Sequence, residues 1–348
     1  MAFATGIVIG RFAPLQKSEE GLIKGAVREA GCAIVVLGSA FHARTPRDPL
    51  TWEERAECIR LAIPDADRAQ VTFVPVRDYF NDERWARAVE AAVGEAAGDA
   101  RLFVQDDARA ERYERLFPRW RLGRVACPPA EDSNRLRQVL LQHGMARSPS
   151  SLPERRDAAL AVLSAYVPSP AIEYLRAWSM LPAYETLVRD QHALDAMNDE
   201  WAGSPYEPIF STVDAVVRCA GHVLLVRRGA PPGQGLWALP GGFLEPRETL
   251  LDGAMRELRE ETGLGVHEAT LVRSLKRVQV FSHPYRSLRG RTITHAHFFD
   301  LPGERLPDVK GGDDAAAAEW IPIGKLGERE EKLFEDHFHI LDEFLQLT

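Results

Sequence analysis

Cysteine is scarce in this chain: four in 348 residues, with no CxxC pair among Cys32, Cys58, Cys127 and Cys219. That scarcity excludes a disulfide-stapled scaffold and the common zinc sites, and it suits reduced, structural thiols. Long apolar runs are missing too. No stretch approaches the ~20 apolar residues of a membrane span, and the apolar segment Gly6–Gly10 ends at once on Arg11, so no leader pattern is read. Positive charge is in deficit, with 43 Lys and Arg against 51 Asp and Glu and a formal net charge of −8. Such a balance leaves no basic footprint for nucleic acid or an acidic membrane. Internal repeats and low-complexity segments are absent as well. These absences predict a cytoplasmic protein whose partner is a small molecule. A homo-oligomer stays open, and the length suffices for two or three domains with real cores.

What is present begins with a rhythm. Gly6–Gly10, Ala33–Leu37, Val71–Val76 and Leu102–Val104 are short apolar runs of the kind that parallel strands bury on both faces. Helical patterns near 18–30, 51–62, 82–96 and 108–116 separate them, which predicts a doubly wound α/β sheet. Residues 146–170 turn rich in Pro and Ser and read as a linker with a short helix. The stripe Ile172, Leu175, Trp178, Leu187 and Leu194 reads as helical packing between domains. From Phe210 onward strands dominate, at 212–217, 222–227, 270–281, 292–299 and 319–323, and an amphipathic helix over 329–346 ends the chain.

One helical run carries chemistry. From Gly242 to Leu264 the chain reads GFLEPRETLLDGAMRELREETGL. On a helix, Leu251, Ala254, Met255 and Leu258 make an apolar face, while Glu257, Glu260 and Glu261 gather their carboxylates along its edge. Like charges that close raise each other's pKa unless a cation sits among them. Hard oxygen ligands at this density suit Mg2+ or Mn2+. Three glutamates alone also describe a solvated face paired to Arg256 and Arg259. The preceding Pro-Gly-Gly turn and the full spacing of Gly242, Glu248, Arg256, Glu257, Glu260, Glu261 and Gly263 favour the metal reading.

That spacing, G-x5-E-x7-R-E-aliphatic-x-E-E-x-G-aliphatic, is the Nudix box, and the C-terminal 140 or so residues resemble a Nudix pyrophosphohydrolase. The resemblance implies Glu257 and Glu261 as metal ligands, Glu260 as a further ligand, and the Gly241 carbonyl as a backbone ligand. Glu248 and Arg256 would brace them from behind. The implied reaction is water attacking a diphosphate, with Gly242 letting the turn approach phosphates. The segment Phe281–Phe299 resembles the P-x-R-x-x-R-G-R stretch of ADP-ribose pyrophosphatases, which makes Arg286, Arg289 and Arg291, together with Arg227, the expected substrate cations. In such enzymes a carboxylate outside the box often acts as general base, and Asp313 and Asp314 are the candidates. Trp237 is read as packing beneath the turn, and His337 and His339 as facing solvent.

The N-terminal segment Ile7–Ile23 resembles the opening of nucleotidyltransferases, G-R-F-x-P-x-H-x-G-H. Stretches at 38–55, 73–85 and 112–120 extend the likeness to nicotinamide-mononucleotide adenylyltransferase. Gly10, Arg11, Phe12 and Pro14 are kept, and Arg137 survives from a late I-S-x-T-x-x-R element. Where that family has two histidines around a glycine, this chain has Gln16, Lys17, Ser18 and Glu19. Glu19 brings negative charge where phosphates must be stabilised, for which Lys17 is expected to compensate in part.

The expected fold is therefore α/β, with a Rossmann-like nucleotidyltransferase domain (1–145), a linker and helical connector (146–205), and a Nudix α/β/α sandwich (206–348). The expected family is the bifunctional nicotinamide-mononucleotide adenylyltransferase/Nudix hydrolase with a degenerate first domain. The expected activity is Mg2+- or Mn2+-dependent cleavage of ADP-ribose. Three rivals stand beside it. A truly bifunctional enzyme making NAD is opposed by Gln16 and Glu19. A Nudix hydrolase of another nucleoside diphosphate derivative is opposed by the arginine-rich loop, and a non-catalytic sensor by the complete glutamate set.

Overall fold

The computed structural model of the chain describes residues 5–94 and 100–348, and its contacts divide it into two units, Met1–His192 and Ala193–Thr348. In the first unit, β1 (Thr5–Gly10), β2 (Ala33–Leu37), β3 (Val71–Pro75), β4 (Ala100–Val104) and β5 (Arg121–Arg124) form one sheet in the order β3-β2-β1-β4-β5. Every pairing is parallel. Strand alternation explains why these runs are apolar throughout: Val8, Val35, Leu37 and Phe103 enter one core, and Ile7, Ile9, Val36, Leu102 and Val104 the other.

Helices α1 (Lys17–Ala30), α2 (Trp52–Ala62), α3 (Asp82–Val93) and α4 (Asp107–Leu116) alternate with the strands. Thr51 caps α2 in a capping box with Glu54, and Asn81 and Asp106 cap α3 and α4. Helix α3 ends at Val93, short of the expected 96, and 95–96 lie outside the described residues. β5 had no clear signal, because only Leu122 and Gly123 lie between its arginines.

The Pro- and Ser-rich segment expected to link and connect contributes core. α5 (Ser133–Leu140), α6 (Leu152–Leu163), α7 (Ser169–Trp178) and α8 (Pro182–Trp201) follow in order. Leu136, Leu160, Leu163, Ile172, Leu175, Trp178 and Leu187 share the first unit's core with Val8 and Val35. Tyr184 donates its hydroxyl to the Leu140 carbonyl at 2.9 Å and accepts from the Gln142 amide at 2.9 Å. The stripe expected between domains thus packs within the first unit as far as Val188.

The second unit is a mixed sheet. β6 (Ile209–Cys219), β7 (His222–Arg228), β10 (Leu275–Phe281), β11 (Arg291–Asp300) and β12 (Ala315–Pro322) lie in the order β10-β11-β6-β7-β12. Short β8 (Trp237–Ala238) pairs β7, and β9 (Gly241–Phe243) pairs β6. α9 (Leu250–Thr262) and α10 (Glu268–Ser274) cover one face, and α11 (His337–Leu345) the other, giving a sandwich of α/β/α layers. Residues 270–274, expected as strand, are helical because Leu271 packs into the core from a short turn and Ser274 back-bonds to the Thr270 carbonyl. The closing helix starts at His337 rather than 329. Before it, Gly327–Lys332 forms a 3-10 turn, and Glu335 takes a left-handed φ of 44°. No described helix is long and apolar enough to cross a membrane.

Candidate active site

Helix α9 is set by its ends and one face. Thr249 accepts from the Asp252 amide at its start, and Gly263 closes it at φ 56°. Ala254, Met255 and Leu258 are buried, as are Glu257 and Glu261 beside them. Two carboxylates are therefore driven into the protein by the same face that anchors the helix.

Arg256 organises one side of the site. Its Nε and Nη2 donate to the two Glu248 oxygens at 3.0 and 2.9 Å, and Nη1 donates to Glu257 Oε1 and Glu260 Oε2, both at 2.9 Å. Glu248 also accepts from the Glu245 amide at 2.8 Å, fixing the loop before the helix. These bonds hold Glu248 below the usual carboxylate range and push Arg256 further up. Glu260, half exposed, is turned toward Arg256.

Glu261 is treated differently. Its one donor is the Gly241 amide at 2.9 Å, and no cation pairs with it among the described residues. Burial, then contact with Asp314 and the charge of Glu257, push its pKa up to about 9. Glu257 is also raised, by burial first and by the charges of Glu260 and Asp314, against the pull of Arg256. Glycine is required opposite them. A Cβ on Gly242 would lie 2.5 Å from Glu257 Oε1, and one on Gly241 would lie 2.3 Å from the Val213 carbonyl.

Among the described residues, no three His, Cys, Asp or Glu side chains converge into a ready-made cage. Arg256 draws Glu260 aside. The donor set still suits a hard divalent cation. Glu257, Glu261 and Asp314 are neighbouring carboxylates, two of them buried, with less positive charge than they need.

The cleft beside Glu261 is lined by Gly241, Gly242, Asp314, Arg228, Arg289 and Arg286, with Phe334 and His337 behind. Of the two base candidates, Asp314 faces this cleft, and Asp313, at φ 50°, does not line it. The expected arginines divide. Arg286 lines the cleft, but its Nε and Nη2 form a buried two-point pair with Asp336 at 2.8 and 2.7 Å. Arg289 reaches Glu335 at 3.4 Å, lies 5.5 and 5.4 Å from the Phe243 and Phe334 rings, and keeps a buried Nε without a partner. Arg291 sits outside the cleft, donating to the Thr292 carbonyl at 3.4 Å. Arg227 is outside too, because strand alternation turns it to the opposite face.

The cleft's cation on β7 is Arg228. It lies 4.1 Å from the Phe334 ring centroid, and burial with the nearby Arg289 charge lowers its pKa. Period-two alternation from buried Val226 would have singled it out. His337 is buried rather than solvent-facing. Its Nδ1 accepts from the Leu239 amide at 2.8 Å, which places the remaining proton on Nε2, 4.0 Å from Asp214. Burial lowers its pKa to about 4. Trp237 is half-buried and partly packed against the core beneath the turn.

At the N-terminal opening the polar groups are spent inside the protein. Phe12 is buried at φ 54°, its ring 2.8 Å from where a Gly10 Cβ would stand. Gln16 accepts from the Glu131 amide at 2.8 Å and donates to the Glu131 carbonyl and Ser133 Oγ, both at 3.0 Å. Glu19 is buried, accepts from the Gln16 amide at 2.9 Å, and is pushed up to about 7 by desolvation. It closes a capping box and does not stand as a free charge. Lys17 caps α6, donating to the Ser164 and Ala165 carbonyls at 2.9 Å each, so it is not the offsetting cation the sequence suggested. Arg137 donates to the Ala13 carbonyl at 3.1 Å and to Asn134. Buried Arg55 holds the Arg11, Gly38 and Ser39 carbonyls at 2.7, 2.7 and 2.9 Å. Arg11 alone extends outward, 3.4 Å from Asp78.

Known proteins resemble both parts of the chain. Residues 209–344 match the NUDIX domain family model. An ADP-ribose pyrophosphatase of Methanocaldococcus jannaschii is 37% identical over 134 residues, 38% of this chain and 72% of that protein. A nicotinamide/nicotinic acid mononucleotide adenylyltransferase of Acinetobacter baylyi is 25% identical over 195 residues, 55% of this chain and 95% of that protein. The crystal structure of a bifunctional NMN adenylyltransferase/ADP ribose pyrophosphatase from Francisella tularensis is similar at a TM-score of 0.88 and 28% identity, over 99% of each chain. A second structure from that organism, complexed with AMP and a manganese ion, gives 0.86 at the same identity and coverage.

Proposed function

The chain belongs to the Nudix family through residues 209–344, and from that premise we propose that its second unit hydrolyses ADP-ribose to AMP and ribose 5-phosphate with a divalent cation, Mg2+ or Mn2+. The observation that carries this reading is the pair of buried glutamates, Glu257 and Glu261, left short of positive charge beside the Gly241-Gly242 turn. The substrate follows from the pyrophosphatase relative and from the arginines of the cleft. The manganese in the Francisella complex supports the class of cation.

In the reaction, water oxygen bonds to one phosphorus of the diphosphate while the bridging P–O bond breaks, and the bridging oxygen leaves on the other phosphate. Glu257, Glu261 and the Gly241 carbonyl would hold the cation, with Glu260 joining when released from Arg256. The bound cation supplies neutralisation of phosphate charge and acidification of water. Asp314, in the cleft next to Glu261, takes the water's proton. Arg228 and Arg289 hold the diphosphate oxygens, braced by Phe334 between them. Arg286, engaged by Asp336, shapes the wall, and Arg256 and Glu248 keep Glu257 in place.

The first unit, on this reading, is an adenylyltransferase fold with impaired chemistry, since the residues at its phosphate-binding positions hold the fold together. Manganese titration followed by electron paramagnetic resonance tests the cation site without turnover. The wild-type chain should take up Mn2+ and Glu257→Gln/Glu261→Gln should not. Equal uptake by both would remove the assignment.

A further inference from the structure

The second unit carries another pocket, of about 570 Å³, lined by Arg227, Lys325, Arg329, Lys332, Glu328 and Trp237 among others. Its size falls within the roughly 300–1,000 Å³ of small-molecule sites. It is distinct from the catalytic cleft. Arg227 and Trp237 are paired in register across β7 and β8, and both point to the face opposite Val226, Arg228 and Ala238, which line the cleft.

Three features make it more than a charged rim. Four permanent or near-permanent cations face a single carboxylate there, in a chain whose net charge is −8. None of the four forms an ion pair with a carboxylate among the described residues, whereas Arg218, Arg256, Arg277, Arg286 and Arg289 each do. The turn that presents Lys325, Arg329 and Lys332 is also fixed in place. Leu326 and Leu333 anchor it in the core, and the Phe334 amide donates to the Trp237 carbonyl at 2.8 Å. The Arg329 guanidinium lies 5.9 Å from the Trp237 ring, at the outer limit of a cation–π contact. A concave wall with convergent unpaired cations focuses potential on an anion, and charge-assisted bonds from such groups suit phosphoryl oxygens.

We propose that this pocket binds a phosphate-bearing metabolite, its phosphoryl group held by Lys325, Arg329, Lys332 and Arg227 against the Trp237 indole. Arg227 Nε donates to the Gly235 carbonyl at 3.1 Å, and Arg228 Nε to the Pro232 carbonyl at 3.0 Å. The two neighbouring arginines thus hold the backbone of one loop, between Pro232 and Gly235.

The test is titration of the full-length chain with AMP and, separately, with inorganic pyrophosphate. Divalent cations are left out, and binding is followed by equilibrium dialysis and tryptophan fluorescence. Binding should change the fluorescence of the wild type and not that of Trp237→Phe. Lys325→Glu/Lys332→Glu should weaken it about tenfold or more, and Glu261→Gln should leave it unchanged. Circular dichroism verifies that the charge-reversed chain is folded, and Lys325→Gln/Lys332→Gln offers a milder second variant. Equal binding of AMP and pyrophosphate would support recognition of the phosphoryl group alone, and tighter binding of AMP would add a base on the indole. Binding that survives both lysine variants, vanishes in Glu261→Gln, or is absent for both probes would overturn the proposal.

Discussion

Two helices of this chain, α1 and α9, follow turns that resemble those of nucleotide enzymes, and their polar residues have opposite fates. At the start of α1, Gln16, Lys17 and Glu19 are each taken up by a neighbour in the same unit: Gln16 clasps Glu131 and Ser133, Lys17 caps a helix, and Glu19 closes a capping box. On α9, Glu261 is as deeply buried as Glu19 yet, among the described residues, receives one backbone amide and no paired cation. Satisfied polar groups hold a fold together, while a buried charge left without its counter-charge stores the capacity to bind something. On the proposed reading, the polar residues of the first turn serve the fold and those of the second serve a cation.

The comparison can be broken most readily at Glu261. Glu261→Gln should lower ADP-ribose turnover by at least about a hundredfold while the fold persists, read by steady-state kinetics alongside a thermal melt. Near-normal turnover would make Glu261 as structural as Glu19.

The counterpart at α1 is an effect on stability and its pH dependence. Burial pushes Glu19 up to about 7 in the folded chain, against about 4.5 for an exposed glutamate. Below 4.5 it is protonated in both states and costs nothing. Between 4.5 and 7 the unfolded chain ionises first, so stability falls as pH rises, and the full cost applies above 7. Glu19→Gln keeps an acceptor for the Gln16 amide and removes that cost. Urea unfolding should therefore show a gain on the order of 2 kcal/mol near pH 8 and almost none near pH 4. A loss of stability at pH 8 would mean that the ionised carboxylate is what the site needs.

The smallest effect sharpens the separation of the two units. Arg11→Ala should leave ADP-ribose hydrolysis almost unchanged in the same kinetic assay. A large loss would bring the first unit's outward arginine into the second unit's chemistry.

Much of this was legible in the sequence because it depends on local periodicity. The apolar runs of β1 to β4, the apolar face of α9 and the glutamate spacing all repeat at strand or helix period. The substrate arginines were harder. Arg286, Arg289 and Arg291 look alike in a basic loop. Their partners, Asp336 and Glu335, stand some fifty residues away, and register alone leaves Arg291 outside the cleft. Arg227 is the expected cation on β7, whereas alternation from Val226 places its neighbour Arg228 in the cleft. His337 looked like a terminal surface residue because nothing local shows that α11 folds back to meet the Leu239 amide. The Pro- and Ser-rich stretch reads as a linker because its helices find their core through long-range packing, α7 against α2 more than a hundred residues earlier.

The most direct trial of the whole account is one parallel incubation of the purified chain with Mg2+, using ADP-ribose in one vessel and ATP with nicotinamide mononucleotide in the other, followed by chromatography. AMP and ribose 5-phosphate should accumulate in the first, and no NAD should form in the second. Intact ADP-ribose, or NAD produced at a rate comparable to hydrolysis, would contradict it.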